Sequence, residues 1–223
     1  MAQLSDFTST TWTAVDLVHR FGAIPLDRVV HDPAPGTATV ADVVRLDDHE
    51  NRLCELIDGT LVEKTVGVYE SFLAIQIGTL LNLFVTQAKL GIVAGADGMM
   101  QIFPDQVRIP DVSFISWEHL KDSGFPDNPA PFMAPTLAVE IISRSNTAKE
   151  MDRKLGEYFE AGTQQVWYVY PKPREVKVYS SPTNVTTLGE NDTLTGGELL
   201  PGLSIDLKAF FTLPTESDAA AKS

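Results

Sequence analysis

Two carboxylates in apolar surroundings are the residues of this chain whose types and spacing most suggest chemistry. Asp111 follows Pro110 in VRIPDVSFI, an otherwise apolar strand. A proline removes a hydrogen bond from the ladder of a strand, so it belongs at an edge, a strand start or a bulge, and Asp111 stands at that interruption. Glu140 lies in TLAVEIIS, surrounded by apolar residues. Because burying a lone ionised carboxylate is costly, such a group is usually paired, protonated or bound to a metal.

Lys154 is a third candidate, in the helical segment SNTAKEMDRKLGEYFEAG that follows Glu140. It borders the apolar stripe of that helix, and a helix packed across the sheet would aim its ammonium at the two carboxylates. Simpler alternatives remain open. Asp111 could be a solvated strand end and Glu140 could face water on an edge strand. Lys154 could be a surface lysine paired with Glu150 or Glu157.

Glu70 and Glu55 are weaker candidates for the same site. Glu70 lies three residues before Leu73, so it shares the inward face of a predicted long helix. It also falls in the first turn, where the helix dipole favours a carboxylate whatever its function. Glu55 lies in the hairpin strand LCELI and could instead be a structural partner of Arg52 or Lys64.

Together these residue types predict a site for a hard divalent cation. Two carboxylates with a nearby strand carbonyl suit Mg²⁺ or Mn²⁺, which prefer oxygen ligands and keep part of their water. Such a metal lowers the pKa of a bound water and offsets charge that grows on a phosphate. A lysine beside it would hold the attacking water or help to deprotonate it, and its positive charge would stabilise the transition state.

The elements that must position these residues can be read along the chain. Asp58-Gly59 between two apolar runs predicts a tight hairpin in LCELIDGTLVEKTV, and a long helix follows in YESFLAIQIGTLLNLFVTQAKLG. GIVAGADGMMQIF and VRIPDVSFIS predict a strand pair that turns at Pro104-Asp105. TLAVEIIS is apolar on both faces and should be central in a sheet. A second helix, with Thr147 and Glu150 as a capping box, precedes the closing strands. The order is typical of an α/β or α+β fold with a mixed sheet.

In these segments the chain resembles the Uma-two family of putative restriction endonucleases, within the PD-(D/E)xK nuclease superfamily. The matching pieces are CELIDGTLVE, VRIPDVSFI, LAVEIIS, KLGEYFEAGTQQVWYVYP and DTLTGGELLPGLSIDL. The resemblance implies a restriction endonuclease-like core, in which helices flank a mixed central β-sheet, with an N-terminal β-hairpin extension. With it we divide the chain into an N-terminal extension (1–49), a restriction endonuclease-like domain (50–212) and a flexible tail (213–223). The implied activity is Mg²⁺- or Mn²⁺-dependent cleavage of DNA.

The resemblance also implies roles for individual residues. Asp111 and Glu140 take the positions of metal ligands. The lysine of the superfamily normally stands two residues after the Glu, where this chain has Ile142. In the family the lysine comes from the following helix, which makes Lys154 the matching residue, and the backbone carbonyl of Ile142 would still serve the metal. Glu70 stands where the family often has a histidine, and it is similar to the helix-borne acid of other superfamily nucleases.

Composition limits the partners. The net charge of −13 argues against a broad nucleic-acid-binding surface, because phosphate contacts need clustered Lys and Arg. A duplex-binding nuclease should therefore gather its basic residues around the site; these are Arg52, Lys64, Arg108, Lys149, Arg153 and Lys154.

The single cysteine, Cys54, lies in an apolar stretch, which indicates a buried thiol in a reducing compartment. With no secretory signal and no long apolar run, we expect a cytoplasmic protein that binds DNA and no membrane. A homodimer would be a common arrangement for such an enzyme.

Two other classes of function remain open. A nuclease fold can be catalytically silent and serve binding or assembly, in which case one of Asp111, Glu140 and Lys154 should be missing from the cluster. A different hydrolase or a metal-sensing role is the second alternative. A Ser-His-Asp hydrolase and a zinc site are disfavoured, because the four histidines are scattered and no nucleophile-elbow motif lies near them.

Overall fold

The computed structural model of the protein describes residues 12–65, 67–121 and 126–213, so the predicted tail beyond residue 213 lies outside the described residues. The helices are α1 (Ala14–Phe21), α2 (Val40–Glu50), α3 (Val68–Ala88), α4 (Trp117–Leu120), α5 (Ala148–Glu160) and α6 (Leu207–Phe211), with a 3₁₀ helix at Leu26–Arg28. The strands are β1 (Cys54–Ile57), β2 (Thr60–Glu63), β3 (Gly91–Ala94), β4 (Met100–Phe103), β5 (Gln106–Arg108), β6 (Val112–Ser116), β7 (Leu137–Ile141), β8 (Gln165–Tyr170), β9 (Glu175–Ser181), β10 (Asn184–Leu188), β11 (Thr193–Gly196) and β12 (Leu200–Asp206).

The largest sheet of the described residues has six strands in the order β10-β9-β8-β7-β6-β3. β7 and β8 are parallel, and the other neighbours are antiparallel. A second sheet has the order β2-β1-β5-β4, and β11 pairs with β12. The predicted mixed sheet and the central place of β7 are therefore confirmed.

Helices cover both faces of the six-stranded sheet. Side chains alternate along a strand, so Val139 and Ile141 of β7 pack into the core that contains α3, whereas Ala138 packs against α5. Thr147 caps α5 in the predicted capping box with Glu150. This arrangement places β7 between two apolar layers, and any polar side chain on it is buried.

Pro110 marks the crossing from one sheet to the other. VRIPDVSFIS was predicted as one strand, but β5 ends at Arg108 in the four-stranded sheet and β6 begins at Val112 in the six-stranded sheet. GIVAGADGMMQIF is divided in the same way, so β3 pairs with β6 and β4 pairs with β5 across the predicted turn at Pro104-Asp105. Because proline has no amide hydrogen, Pro110 suits this link, and Asp111 stands directly before β6.

The predicted hairpin joins β1 to β2 through Asp58-Gly59. Both turn residues have positive φ, 47° and 68°, as a type I′ turn requires. Gly59 is also needed for space, since a Cβ there would lie 2.7 Å from the backbone of Gly36. The segment before the hairpin shares its core, and its buried apolar side chains are Leu17, Phe21, Ile24, Val29, Val30, Ala38, Val43 and Leu46. The proposed domain boundaries stay a prediction.

Among the described residues, α3 is the one helix that could cross a membrane by length and composition alone. Its stripe of Leu73, Ile77 and Leu81 packs into the main core. The core helix of a soluble protein can have the same length and apolar composition as a membrane-spanning helix. On its other side Ile75 and Leu83 are 69% and 64% exposed. The apolar character of α3 is therefore weak evidence for a membrane span.

Candidate active site

Asp111 is buried at the end of the link between the two sheets. β6 lies antiparallel to β7 with Val112 opposite Val139, which brings Asp111 beside the C-terminal end of β7. Its Oδ2 accepts a hydrogen bond of 2.6 Å from the amide of Ile141, and its Oδ1 lies 2.9 Å from the Nζ of Lys64. With 7% of its surface exposed, Asp111 is not a solvated strand end.

Glu140 projects from β7 toward α5 and is 4% exposed. Its Oε1 accepts hydrogen bonds from the Tyr158 hydroxyl at 2.6 Å and from the Lys154 ammonium at 2.7 Å. Burial raises the pKa of Glu140, and the charges of Asp111 and Glu55 raise it further, against the opposite effect of Lys154. The central strand thus holds a carboxylate that depends on its partners to stay ionised, as the sequence predicted.

Lys154 joins two carboxylates from different sheets. Its Nζ lies 2.7 Å from Glu140 and 2.8 Å from Glu55. Burial by itself would lower the pKa of Lys154, but the two carboxylates outweigh burial and raise it. The alternative of a surface lysine paired with Glu150 or Glu157 is wrong, since both of those carboxylates pair with arginines. Lys154 is therefore a buried, charged ammonium inside the cluster.

Ile142 occupies the sequence position of the superfamily's lysine. It lies on the same side of β7 as Glu140 and packs into the cluster of Leu155 on α5. α5 covers this side of β7. Lys154 on α5 can therefore place its ammonium where a lysine at position 142 of the strand would place one. The cavity of the site is lined by Ile141, and the contribution of the Ile142 carbonyl stays a prediction.

Glu55 has different partners from those expected. It was predicted to pair with Arg52 or Lys64, but its carboxylate lies 2.8 Å from Arg108 and 2.8 Å from Lys154. Burial would raise the pKa of Glu55, yet Lys154 and Arg108 together hold it below its ordinary value. The physical reason is topological: β1 pairs with β5, so Glu55 and Arg108 are neighbours across the sheet.

Glu70 lies in the first turn of α3, as predicted, and is half-buried. Its carboxylate folds back onto Gly67, so that a side chain at position 67 would require Glu70 to move. It lines the same cavity as Asp111 and Glu140. Its placement suits a contact with a bound cation, and its role as a ligand stays a prediction.

Two cations of the cavity were not predicted as site residues. Lys64 donates from its Nζ to the carbonyls of Ala96 at 3.1 Å and Ile109 at 2.9 Å, besides its contact with Asp111. Arg28, from the 3₁₀ helix, binds Glu150 at 2.8 Å and also lines the cavity. The position of Lys64 directly after the second hairpin strand could have identified it from the sequence as a residue near the site. For Arg28 the sequence holds no local signal, because its partner is far along the chain.

Charges of alternating sign continue from the site to the surface. Arg108 contacts both Glu55 and Glu157, and Glu157 lies 2.6 Å from Arg153. Arg153 in turn lies 2.7 Å from Asp58 in the hairpin turn. Each buried charge therefore has a partner of opposite sign, which is the condition under which such groups are tolerated in a core.

The cavity between these residues has a volume of about 30 Å³, which is room for a water molecule or a cation. Five carboxylates and three cations line it; they are Glu55, Glu70, Asp111, Glu140 and Glu150, and Arg28, Lys64 and Lys154. Acidic residues therefore outnumber basic ones in this lining by two, and Arg108, which lies outside the lining, also contacts Glu55. The contacts of Glu140 with Lys154 and Tyr158 are both made by its Oε1.

The donor set fits Mg²⁺ or Mn²⁺ better than zinc. Within the described ranges no group of three or more His, Cys, Asp or Glu side chains is already arranged around a metal position. Mg²⁺ does not need such a group, since it commonly takes one or two carboxylates and keeps several waters. Asp111 and Glu140 are two carboxylates of that kind.

The basic residues expected around the site are not free for phosphate. In the described part of the chain, each of the six candidates contacts a carboxylate or a backbone carbonyl; they are Arg52, Lys64, Arg108, Lys149, Arg153 and Lys154. Arg108 and Lys154 are also buried. Five of the six side chains pair with carboxylates of the protein and Lys149 binds a backbone carbonyl, so they do not form a basic face for a duplex.

Comparison with known proteins agrees with this fold. A solved structure from Anabaena variabilis ATCC 29413, described as a putative nuclease belonging to DUF820, is similar with a TM-score of 0.63 and 20% sequence identity. The match covers 71% of this chain and 89% of that chain, which shows a shared fold. No curated protein matches the chain. The model of the Uma2 family, described as putative restriction endonuclease, matches residues 40–208, which is most of the chain. The chain therefore belongs to the Uma2 family of putative restriction endonucleases.

Proposed function

We propose that this protein hydrolyses phosphodiester bonds of DNA with a divalent cation, Mg²⁺ or Mn²⁺, bound between Asp111 and Glu140. One observation carries the proposal. Two buried carboxylates from neighbouring strands and the buried ammonium of Lys154 surround one cavity, and acidic residues outnumber basic ones in its lining by two. Membership of a nuclease family supports the same reaction class.

The side chains have separate tasks in this proposal. Asp111 and Glu140 hold the cation, and Glu70 and the carbonyl of Ile142 are further candidate ligands. When bound, the cation lowers the pKa of a water and offsets charge on the phosphate. Lys64 keeps the carboxylate of Asp111 turned toward the cavity through its contact with Oδ1.

Lys154 acts as a fixed positive charge. Since its carboxylate partners raise its pKa, it stays protonated near neutral pH and is not a base for the attacking water. A preorganised ammonium beside the phosphate stabilises the negative charge of the transition state. Glu55 and Glu140 hold this ammonium from two sides, and Tyr158 fixes Glu140 in turn.

A catalytically silent module for binding or assembly was the main alternative. It would be favoured if one of Asp111, Glu140 and Lys154 lay apart from the others. All three line the same cavity, so the geometry gives that alternative no support. The homodimer expected from the sequence stays a prediction, which light scattering of the purified protein would check.

The test compares Asp111→Asn and Glu140→Gln with the wild type on plasmid and single-stranded DNA, with Mg²⁺ or Mn²⁺. Asp105→Asn and Glu160→Gln are matched controls, because both side chains are exposed and lie outside the cavity. We expect a loss of cleavage of about 100-fold or more for the two site variants only. Titration calorimetry with Mn²⁺ should show the same pattern without any reaction. Cleavage by Asp111→Asn at the wild-type rate would mean that the activity is a contaminant.

A further inference from the structure

A groove lined by both apolar and polar residues opens beside the cavity of the active site. It has a volume of about 570 Å³, within the range of pockets that hold a nucleotide-sized ligand. Thr65, Glu70 and Ser143 line both the groove and the cavity, so the two spaces adjoin. A chain that lies in the groove would therefore pass the mouth of the site.

The topology of the central sheet explains why the groove lies there. β7 and β8 are parallel neighbours, so the loops that follow them emerge at the same edge of the sheet. The loop after β7 contributes Arg144 and Ser145, and the turn after β8 contributes Lys172. Crevices at the carboxyl ends of parallel strands are common ligand sites in α/β proteins.

The cations of the groove differ from those of the cavity. Lys64, Arg28 and Lys154 each hold a carboxylate of the protein. Arg144 and Lys172 are exposed, and neither contacts a carboxylate of a described residue. Glu70 is the one acidic residue of the groove lining, and it stands at the boundary with the metal cavity. Two cations are thus left available at the mouth of an acidic site.

We infer that this groove binds the backbone of the DNA strand next to the bond that is cleaved, with Arg144 and Lys172 each contacting a phosphate. The hydroxyls of Thr65 and Ser145, which hydrogen-bond to each other at 2.9 Å, line the same groove. Contacts with phosphates position a strand without reading its sequence. The inference rests on the proposed function, because it assumes that the adjoining cavity is where a phosphodiester bond is cut.

The test is the salt dependence of binding, measured by fluorescence anisotropy of a labelled oligonucleotide. Asp111→Asn is used as the background, so that no cleavage occurs during the titration. The double variant Arg144→Gln/Lys172→Gln is compared with Lys121→Gln/Lys208→Gln, which removes the same charge at exposed positions outside the groove. Thermal melts of both confirm that the fold is intact.

We expect the groove variant to bind about tenfold more weakly near 0.1 M salt. The slope of log affinity against log salt should fall by about 1.4 for a single strand and about 1.8 for a duplex. The control pair should leave both quantities unchanged. Introduced into the wild-type protein without Asp111→Asn, the Arg144→Gln/Lys172→Gln pair should raise KM in steady-state cleavage and leave kcat within about twofold.

The outcomes separate the two proposals. If the wild type cleaves DNA but both double variants bind alike, the groove inference is wrong and the proposed function stands. The groove inference is also wrong, and the proposed function also stands, if the Asp111→Asn protein does not bind DNA while the wild type cleaves it. If the groove variant alone loses affinity and the wild type does not cleave, the groove is supported and the proposed reaction is wrong.

Discussion

Glu55→Gln should destabilise the protein far more than its small change in shape suggests. The Glu55 carboxylate lies 2.8 Å from both Arg108 and Lys154 and also accepts the amide of Ile109 at 3.1 Å. The substitution keeps the volume of the side chain but removes the charge between two buried cations. Breaking a buried ion pair from one side costs about 3–5 kcal/mol. For a domain of this size that corresponds to a fall in Tm of roughly 6–20 °C.

The assay is urea denaturation of wild type and variant, followed by tryptophan fluorescence. Glu63→Gln is the control, because Glu63 lies in the same hairpin but forms a half-exposed pair with Arg52. An exposed pair is worth about 0–1 kcal/mol. A loss of less than about 1 kcal/mol for Glu55→Gln, equal to that of the control, would refute the view that the buried network supports the fold.

The pH dependence of stability gives a second test of the role of Glu55. Arg108 and Lys154 hold the pKa of Glu55 below its ordinary value of 4.5. A carboxyl whose pKa is lowered on folding stabilises the protein above its unfolded pKa, and the contribution is lost as the pH falls. The difference in stability between wild type and Glu55→Gln should therefore be full at pH 7 and shrink progressively below pH 4.5. A difference that stays constant down to pH 3 would contradict this assignment.

Three further predictions concern single side chains. Burial raises the pKa of the Cys54 thiol to about 11, so a thiol reagent at pH 8 should modify it only after the protein is unfolded. Arg28→Met should lower the free energy of unfolding by about 3–5 kcal/mol, because it leaves Glu150 buried without its partner; Arg28→Lys should recover part of that loss in the same denaturation assay. Tyr158→Phe removes one buried hydrogen bond to Glu140 and should lower the free energy of unfolding by about 1.5–3 kcal/mol and weaken Mn²⁺ binding or cleavage by roughly tenfold.

The parts of the site that could be predicted were those with a local cause. Pro110 cannot donate a backbone hydrogen bond to a neighbouring strand, so the sequence alone predicts an interruption of the strand before Asp111. Glu140 stands in a run of apolar residues that predicts a buried strand, and a carboxylate buried in such a strand must be paired. The continuous apolar run that defines β7 and the capping box that begins α5 are also local, and both elements form as predicted.

The parts that were missed depend on pairings between distant segments. The strand VRIPDVSFIS looks continuous, and only the presence of a second sheet explains why it is two strands. Glu55 was assigned nearby basic partners, but its actual partners come from β5 and α5. Arg28 meets Glu150 more than a hundred residues away along the chain. Propensity and periodicity describe each segment, whereas such contacts are set by how the segments pack.

The charge distribution bears on how an acidic protein could act on DNA. The chain carries a net charge of −13, and the cations inside the site are held by its own carboxylates. Long-range attraction of a duplex is therefore weak. In the proposed mechanism the attraction is local and comes from one divalent cation at Asp111 and Glu140 and from the two groove cations Arg144 and Lys172. Such a footprint involves few phosphates, so the slope of log affinity against log salt should be near −2, in contrast to about −10 for a repressor with an extensive phosphate interface. A shallow salt dependence would then be a property of this active site, and substrates whose strands can reach a buried cavity should be preferred over a rigid duplex.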